Sequence, residues 1–529
     1  MKIATRQPNL PPNAAGQNCR FFASGRCRRG TACAFRHDAA TATTAAAATK
    51  KKKKKKKKKP PPELQLCGPN ELYEKLGAAL LSQWSGQGMH RAHTHNFHAR
   101  KAVMNPQAVS QLLELLPEGG VLDPFAGSGA TLIEAMLAGR AAHGYDISPL
   151  AVGIARGHCW RPVLAQLQTL RDAVAAVVVA LAEAEGDAAA ASDWESGNSE
   201  QEEQVWDRAH RFVSEQVRGC TDAAVSEALW FLLSHEELYS WPAWRRWRPL
   251  SWRFERTAAR YEEQLLSLVA AVPEGTPQAR VQLADACGDA TAVAVAAEGL
   301  AGVVTSPPYP AVFNYVADDS HACTRGGLAA LVLSQHQQQQ RQLCSGSVAH
   351  ADVAHELRAL ELGSIEQRER LLSSTASTPA AAAAVAGSCS DDNSSAVEEQ
   401  AAGEGDAFTA KWQLGTEAWL ETVTASLRDG GRIAMLIGDN ASIDVLDSVT
   451  RASATISARL LEKGARYGLR LLASASVVED SRRPWGSEKK RNYRREHTIL
   501  LERVAHSAGG GGDDDDMMRA ATAVGNVPE

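Results

Sequence analysis

The chain has 529 residues and a net charge of −4, with 44% hydrophobic and 22% charged residues. That length exceeds one ordinary domain. The charge hides two unlike parts: residues 1–62 hold 17 Lys or Arg against one acid, Asp38, so +16 there leaves −20 on the rest. A basic arm on an acidic body points to a polyanionic partner. No apolar run is read as reaching the ~18 residues that span a membrane, and no secretory leader is visible over residues 1–12. The ten cysteines fit a reducing compartment better than a disulfide framework.

Residues 13–40 place Cys19, Cys27, Cys33 and His37 in a C-x7-C-x5-C-x3-H pattern. Three thiolates and one imidazole form a closed tetrahedral donor set for Zn2+, and so small a fold would draw its folding energy from the metal. Phe21, Phe22 and Phe35 among five arginines offer base stacking and phosphate contact. The spacing resembles the CCCH zinc-finger family, which mostly binds single-stranded RNA. A structural zinc knob for a protein partner is the plainer alternative. Residues 41–62, with Lys50 to Lys59 unbroken before three prolines, read as a disordered linker. The lysine run is either a nuclear address and phosphate clamp or a repeat expansion. Both lead to an expected nuclear location, with the cytoplasm as the alternative.

A catalytic domain is expected in three pieces, 63–160, 276–316 and 409–505, separated by a helical insert (161–275) and a low-complexity insertion (317–408). In the first piece, 70–81 and 109–116 have helical spacing. His90, His93, His95 and His98 lie between them. A metal site there is disfavoured, because no Cys or acid is interleaved to complete a ligand shell. Residues 121–131 read Val-Leu-Asp-Pro-Phe-Ala-Gly-Ser-Gly-Ala-Thr. That is a buried strand, a glycine turn and the approach to a helix over 132–137. Gly127 and Gly129 permit close backbone approach to a ligand at the strand's carboxyl end. Asp146 ends the next strand at a spacing that resembles the acid gripping ribose hydroxyls in nucleotide-binding folds.

Helices are expected over 151–159 and 164–185, then a polar linker over 186–203. A second helical block follows over 205–272. It interleaves Trp230, Trp241, Trp244, Trp247 and Trp252 with Arg245, Arg246, Arg248, Arg253 and Arg256. That mixture is either a nucleic-acid surface or a subdomain with Trp inside and Arg outside. Residues 279–283 read as a strand, and 303–309 as Val-Val-Thr-Ser-Pro-Pro-Tyr. The two prolines fix φ and remove two backbone donors, which stiffens the turn. A stiff turn can aim Ser306 and the Pro307 carbonyl at one amino group while Tyr309 stacks on the ring that carries it. Residues 317–408 are Gln-, Ala- and Ser-rich and are expected to be disordered. A helix over 412–427, a turn at 429–431, a strand over 432–437, a helix over 443–462 and an antiparallel pair (469–478, 498–504) complete the domain. The basic loop 482–495 offers phosphate contact, and the tail 506–529 is expected to be disordered.

Asp-Pro-Phe-Ala-Gly-Ser-Gly-Ala-Thr followed by Thr-Ser-Pro-Pro-Tyr resembles the S-adenosylmethionine (SAM)-dependent N4/N6 amino-methyltransferase family. The resemblance implies an α/β, Rossmann-like methyltransferase sheet with helices on both faces and transfer of a methyl group to an exocyclic amine of a nucleobase. It implies Asp123, Phe125, Gly127, Gly129 and Asp146 at SAM. It adds Phe97, from a His/Phe-rich segment lining the methionine of SAM, and Asp285, with Asp289 competing, at the adenine amino group. Ser306, Pro307, Pro308 and Tyr309 would form the catalytic loop. Ser306 resembles the cytosine-N4 branch, where adenine-N6 members usually carry Asp or Asn. Four readings stand: a DNA cytosine-N4 enzyme, an RNA base amino-methyltransferase, a catalytically dead RNA-binding protein and a DNA adenine-N6 enzyme. The partner is nucleic acid, DNA or RNA, with no membrane expected. The sequence carries no sign of oligomeric state.

Overall fold

The computed structural model describes residues 64–85, 92–98, 103–190, 199–239, 248–288, 300–310, 327–343, 394–440, 443–479 and 494–505. The chain divides into two units, Met1–Pro61 and Pro62–Glu529. Cys19, Cys27, Cys33, His37 and the lysine run fall outside the described residues, as do the basic loop and the tail.

The second unit is built on an eight-stranded sheet. Its strands are β1 (Leu64–Cys67), β2 (Gly120–Asp123), β3 (Ala142–Asp146), β4 (Arg280–Leu283), β5 (Leu300–Thr305), β6 (Leu427–Gly438), β7 (Tyr467–Glu479) and β8 (Arg494–Ala505). They lie in the order β1-β7-β8-β6-β5-β2-β3-β4. The run β6-β5-β2-β3-β4 is parallel, β8 is antiparallel to both β6 and β7, and β1 is antiparallel to β7. The described helices are α1 (Asn70–Ser85), α2 (Pro106–Leu113), α3 (Ala130–Leu137), α4 (Pro149–Cys159), α5 (Leu164–Ala190), α6 (Ser199–Gly219), α7 (Ala223–Tyr239), α8 (Leu250–Ala271), α9 (Gly327–Leu343), α10 (Ser394–Ser426) and α11 (Val445–Glu462).

Successive strand residues point to opposite faces, and that alternation sorts the core. On β6, Ala434 and Leu436 join the layer of α1, α2 and α3, while Ile433, Met435 and Ile437 join the layer of α10 and α11. A third cluster holds the helical block, in which α5, α6, α7 and α8 pack with α9 and with one side of α4. The outcome is a sheet with helices on both faces, as expected, with the block spliced into the connection between β3 and β4.

Several expectations change. α2 starts three residues early, because the Asn105 side chain caps the Gln107 N–H at 3.0 Å and Pro106 suits a first helical position. Asp429 to Gly431 lies inside β6 as a bulge, where the register to β5 jumps from Leu300↔Leu427 to Gly302↔Arg432. The segment expected as a disordered insertion contains α9, whose Leu328, Ala329 and Val332 are buried. The Leu328 side chain occupies the space beside Gly153, where a Cβ would lie 2.5 Å from its Cγ. The glutamines at the end of α9 masked this apolar start. α10 also begins inside that segment, at Ser394. Finally, residues 164–185 are 22 residues long and apolar enough to cross a membrane, contrary to the sequence expectation. Leu167, Leu170, Val174, Val177 and Leu181 of that stretch recur at three- and four-residue steps and are buried in the helical block.

Candidate active site

Two loops leave the carboxyl ends of the adjacent parallel strands β2 and β5, the place where open α/β sheets bind ligands. A buried hydrogen bond joins them. Thr305 Oγ1 donates to Asp123 Oδ1 at 2.7 Å, and the Phe125 N–H donates to the same oxygen at 3.1 Å. Asp123 is 1% exposed. Burial pushes its carboxyl up to about 6, against the pull of hydrogen bonds from Thr305, Thr131 and the Phe125 amide.

The glycine loop turns tightly after Asp123. Gly127 has φ +52° and Gly129 φ +83°, both in the left-handed region that glycine enters without a Cβ penalty. Their surroundings differ. A Cβ on Gly129 would meet Ala155 Cβ at 3.2 Å, so this glycine lets α3 close onto α4. A Cβ on Gly127 would meet only the Phe125 carbonyl oxygen, at 3.9 Å. The space over Gly127 is therefore a bare cradle, which fits close approach of a cofactor. Asp146 Oδ2 accepts the Gly127 N–H at 2.8 Å and Oδ1 accepts the Ser148 N–H at 2.8 Å. These bonds orient the carboxylate beside the cradle. The Phe125 ring meets Trp419 of α10 edge-on, with centroids 5.5 Å apart.

The second loop is held from the other side. Ser306, Pro308 and Tyr309 are half-buried and Pro307 is buried. The Tyr309 hydroxyl donates to Glu496 Oε1 at 3.2 Å. Its ring lies against β6 at Gly438, where a Cβ would come within 2.9 Å of the ring. Asn440 Nδ2 donates to the Pro310 carbonyl at 3.1 Å. Beneath the loop, Ser476, His497 and Asp439 form a chain, with Oγ to Nδ1 at 2.7 Å and Nε2 to Oδ1 at 2.9 Å. With His497 fully buried and Ser476 4% exposed, the chain braces β6, β7 and β8 and leaves no room for a hydrolase substrate. Burial of Asp439 opposes ionisation, but His497 and Arg495 hold its carboxyl below the usual range. Sequence reasoning missed Thr305, Glu496, Asp439 and Asn440. The usable signal was Gly438-Asp439-Asn440 at the carboxyl end of the strand beside β5.

Phe97 departs from the expectation. It is 1% exposed and packs among Phe231, His235 and Tyr261, with the Arg260 guanidinium 4.5 Å over its ring. No face of it is open to a ligand, because the aromatic side of the helical block encloses it. The histidines near it diverge. His93 Nδ1 meets Ser267 Oγ at 2.9 Å, His95 Nε2 pairs with Glu134 at 2.8 Å, and His98 Nε2 meets Ser234 Oγ at 3.3 Å. Among the described residues no three His, Cys, Asp or Glu side chains converge on a metal position; His90 lies outside them. The segment instead staples the glycine loop to the helical block through buried His158. His158 Nδ1 lies 2.8 Å from the Ser128 carbonyl, so it carries the proton, and Nε2 accepts the His98 N–H at 3.0 Å. Burial lowers the His158 pKa to about 4.

Asp285 follows β4 and caps its own turn, accepting the Cys287 N–H at 2.8 Å. The competing Asp289 lies outside the described residues. Of the block's tryptophans, Trp230 is buried at 9% exposure while Trp252 is 44% exposed. Between these two described residues the expected choice of aromatic core or aromatic surface is split; Trp241, Trp244, Trp247, Arg245 and Arg246 lie outside the described residues.

The strand order, with a glycine turn after a central parallel strand, defines a methyltransferase-like α/β fold. Residues 32–156 match the family model described as DNA methylase, of N6/N4 type. The matched stretch holds the glycine turn and Asp146 and stops before Ser306. It supports a methyltransferase acting on amino groups, for which SAM is the expected donor. No curated protein matches the chain.

Proposed function

We propose that the protein methylates an exocyclic amino group of a nucleobase, with cytosine N4 in DNA as the preferred acceptor. One observation carries the reading: the glycine turn and the Ser306-Pro-Pro-Tyr309 loop leave neighbouring parallel strands and are joined by the Thr305–Asp123 hydrogen bond. The bare cradle at Gly127 and the oriented carboxylate of Asp146 suit SAM, which supplies a methyl group on a positively charged sulfur when bound. Asp146 would take the ribose hydroxyls, and Asp285 the adenine amino group.

An aromatic amine is a weak nucleophile because its lone pair is delocalised into the ring. Ser306 Oγ and the Pro307 carbonyl would accept its two N–H bonds and draw the nitrogen towards tetrahedral geometry, freeing the lone pair. Tyr309, steadied by Glu496, would stack on the base, which must leave a duplex to reach it. Catalysis would rest on positioning and electrostatics. An RNA acceptor is the second reading, favoured by the Cys19, Cys27, Cys33 and His37 zinc-ligand set with its interleaved Phe and Arg. The lysine run supports a nuclear site of action.

The test is mass spectrometry of nucleosides after incubation with DNA or RNA and labelled SAM. N4-methylcytosine in DNA is the expected product. Methylated cytidine or adenosine in RNA would favour the second reading. SAM binding without any methylated nucleoside would overturn both. Ser306→Ala should lower turnover by roughly 10²–10³ and leave SAM affinity unchanged.

A further inference from the structure

The helical block has a feature that methyl transfer does not use. A cavity of 360 Å³ opens along α8, bounded by Arg248, Arg253, Arg256 and Arg260 and by the carboxylates of Glu236 and Glu263. Four guanidiniums against two carboxylates leave +2 around one opening. The rest of the chain beyond residue 62 is acidic, so a cationic cavity there is not an accident of composition.

The arginines divide into two pairs. Arg253 lies 3.7 Å from the buried Glu236 carboxylate, which also accepts the Thr257 hydroxyl. Arg260 donates to the Phe97 carbonyl at 3.3 Å and meets His235 Nε2 at 2.8 Å. This pair forms the inner wall and ties the cavity to the segment that braces the glycine loop. Arg248 and Arg256 stand at the mouth, both exposed. Their guanidiniums lie over the exposed Trp252 indole, 5.3 and 5.9 Å from the ring centroid. An indole is usually largely buried. Here it is 44% exposed. Both guanidiniums lie over the ring, so a base that stacks on Trp252 takes the place of an arginine, which is then free to meet a neighbouring phosphate; base on aromatic and phosphate on arginine is how single-stranded nucleic acid is held.

We propose that this cavity is a subsite for single-stranded nucleic acid, with one base on Trp252 and the neighbouring phosphates on Arg248 and Arg256. It rests on the nucleobase reading above and extends it by assigning the helical block a part in holding the substrate strand.

Fluorescence anisotropy with the full-length chain tests this, using single-stranded DNA and RNA oligonucleotides of one sequence in separate arms. Trp252 and Arg256 are both exposed, so their variants should fold. Trp252→Ala should raise Kd about tenfold, and Trp252→Phe should restore most of the affinity. Arg256→Gln should lower the slope of log K against log salt by about one. The finger and the lysine run contribute equally to all variants, so the differences read the cavity. The arm in which the losses occur identifies DNA or RNA as the strand. Wild-type Kd and slope for Trp252→Ala and Arg256→Gln in both arms would overturn the inference, even in a chain that methylates nucleosides. Losses in a chain that binds SAM but methylates nothing would sustain it while removing the methyl-transfer reading.

Discussion

The two loops of the site leave adjacent strands and solve opposite problems. On the proposed reading the glycine loop comes close to a ligand, and it sheds side chains: Gly127 leaves an open cradle and Gly129 lets α3 seat on α4. On the same reading the proline loop aims side chains, and it sheds freedom: Pro307 and Pro308 lock the backbone and Tyr309 is pinned from β8 by Glu496. One is held from below by short local bonds to Asp146. The other is held from the end of β6 and from β8, 130 and 187 residues further along. Closeness is encoded locally, whereas aim needs the finished sheet.

The largest expected effect tests what braces the glycine loop. Folded His158 titrates near 4 and the unfolded residue near 6.5. The unfolded chain therefore takes up the proton first. Stability from this group is complete above pH 6.5 and is lost as pH falls towards 4, by at most about 3 kcal/mol. His158→Asn should flatten that part of the stability–pH curve, measured by urea unfolding from pH 7 to 4.5. An unchanged slope would assign the acid sensitivity to another group.

Thr305→Val keeps the shape of the side chain and removes the buried Thr305–Asp123 hydrogen bond that joins the ends of β5 and β2. The Asp123 carboxyl loses a donor in a buried site, so a cost of about 2 kcal/mol is expected, with the Asp123 pKa rising further. Denaturation at pH 7.5 and carboxyl titration by NMR read the two effects. The glycines separate next. Gly129→Ala meets Ala155 and a left-handed φ together, and should cost about 2 kcal/mol of stability. Gly127→Ala should cost about 1 kcal/mol and chiefly weaken SAM binding, measured by calorimetry. Equal SAM affinities for the two variants would dissolve the distinction between cradle and hinge. The smallest effect is Tyr309→Phe, which keeps the ring and loses the bond to Glu496, costing about 1 kcal/mol. It should appear as a modest fall in kcat with little change in stability.

The same division explains what could be read beforehand. The Asp-Pro-Phe-Ala-Gly-Ser-Gly turn, Asp146 and the Ser-Pro-Pro-Tyr loop were legible because residue type and spacing within about twenty positions define them. Most strands and helices were legible for the same reason. Glu496 and His497 were not, because only the reversed strand β8 brings them beside the end of β6, where Asp439 and Tyr309 lie. Phe97 was misplaced because its enclosing partners, Phe231, Tyr261 and Arg260, lie more than a hundred residues downstream. α9 was hidden by glutamines that follow a short apolar start.

The first strand of the sheet pairs with one of the last, and Thr498 of β8 hydrogen-bonds the Leu76 carbonyl of α1 across 422 positions. A ribosome adding roughly 5–20 residues per second would take about 20–80 s to span that interval. Throughout it α1 has α2 to pack on, but the side of α1 that meets β7 and β8 still lacks those strands. A truncation that removes β8 should therefore leave part of α1 and the neighbouring edges of β6 and β7 uncovered, and aggregate.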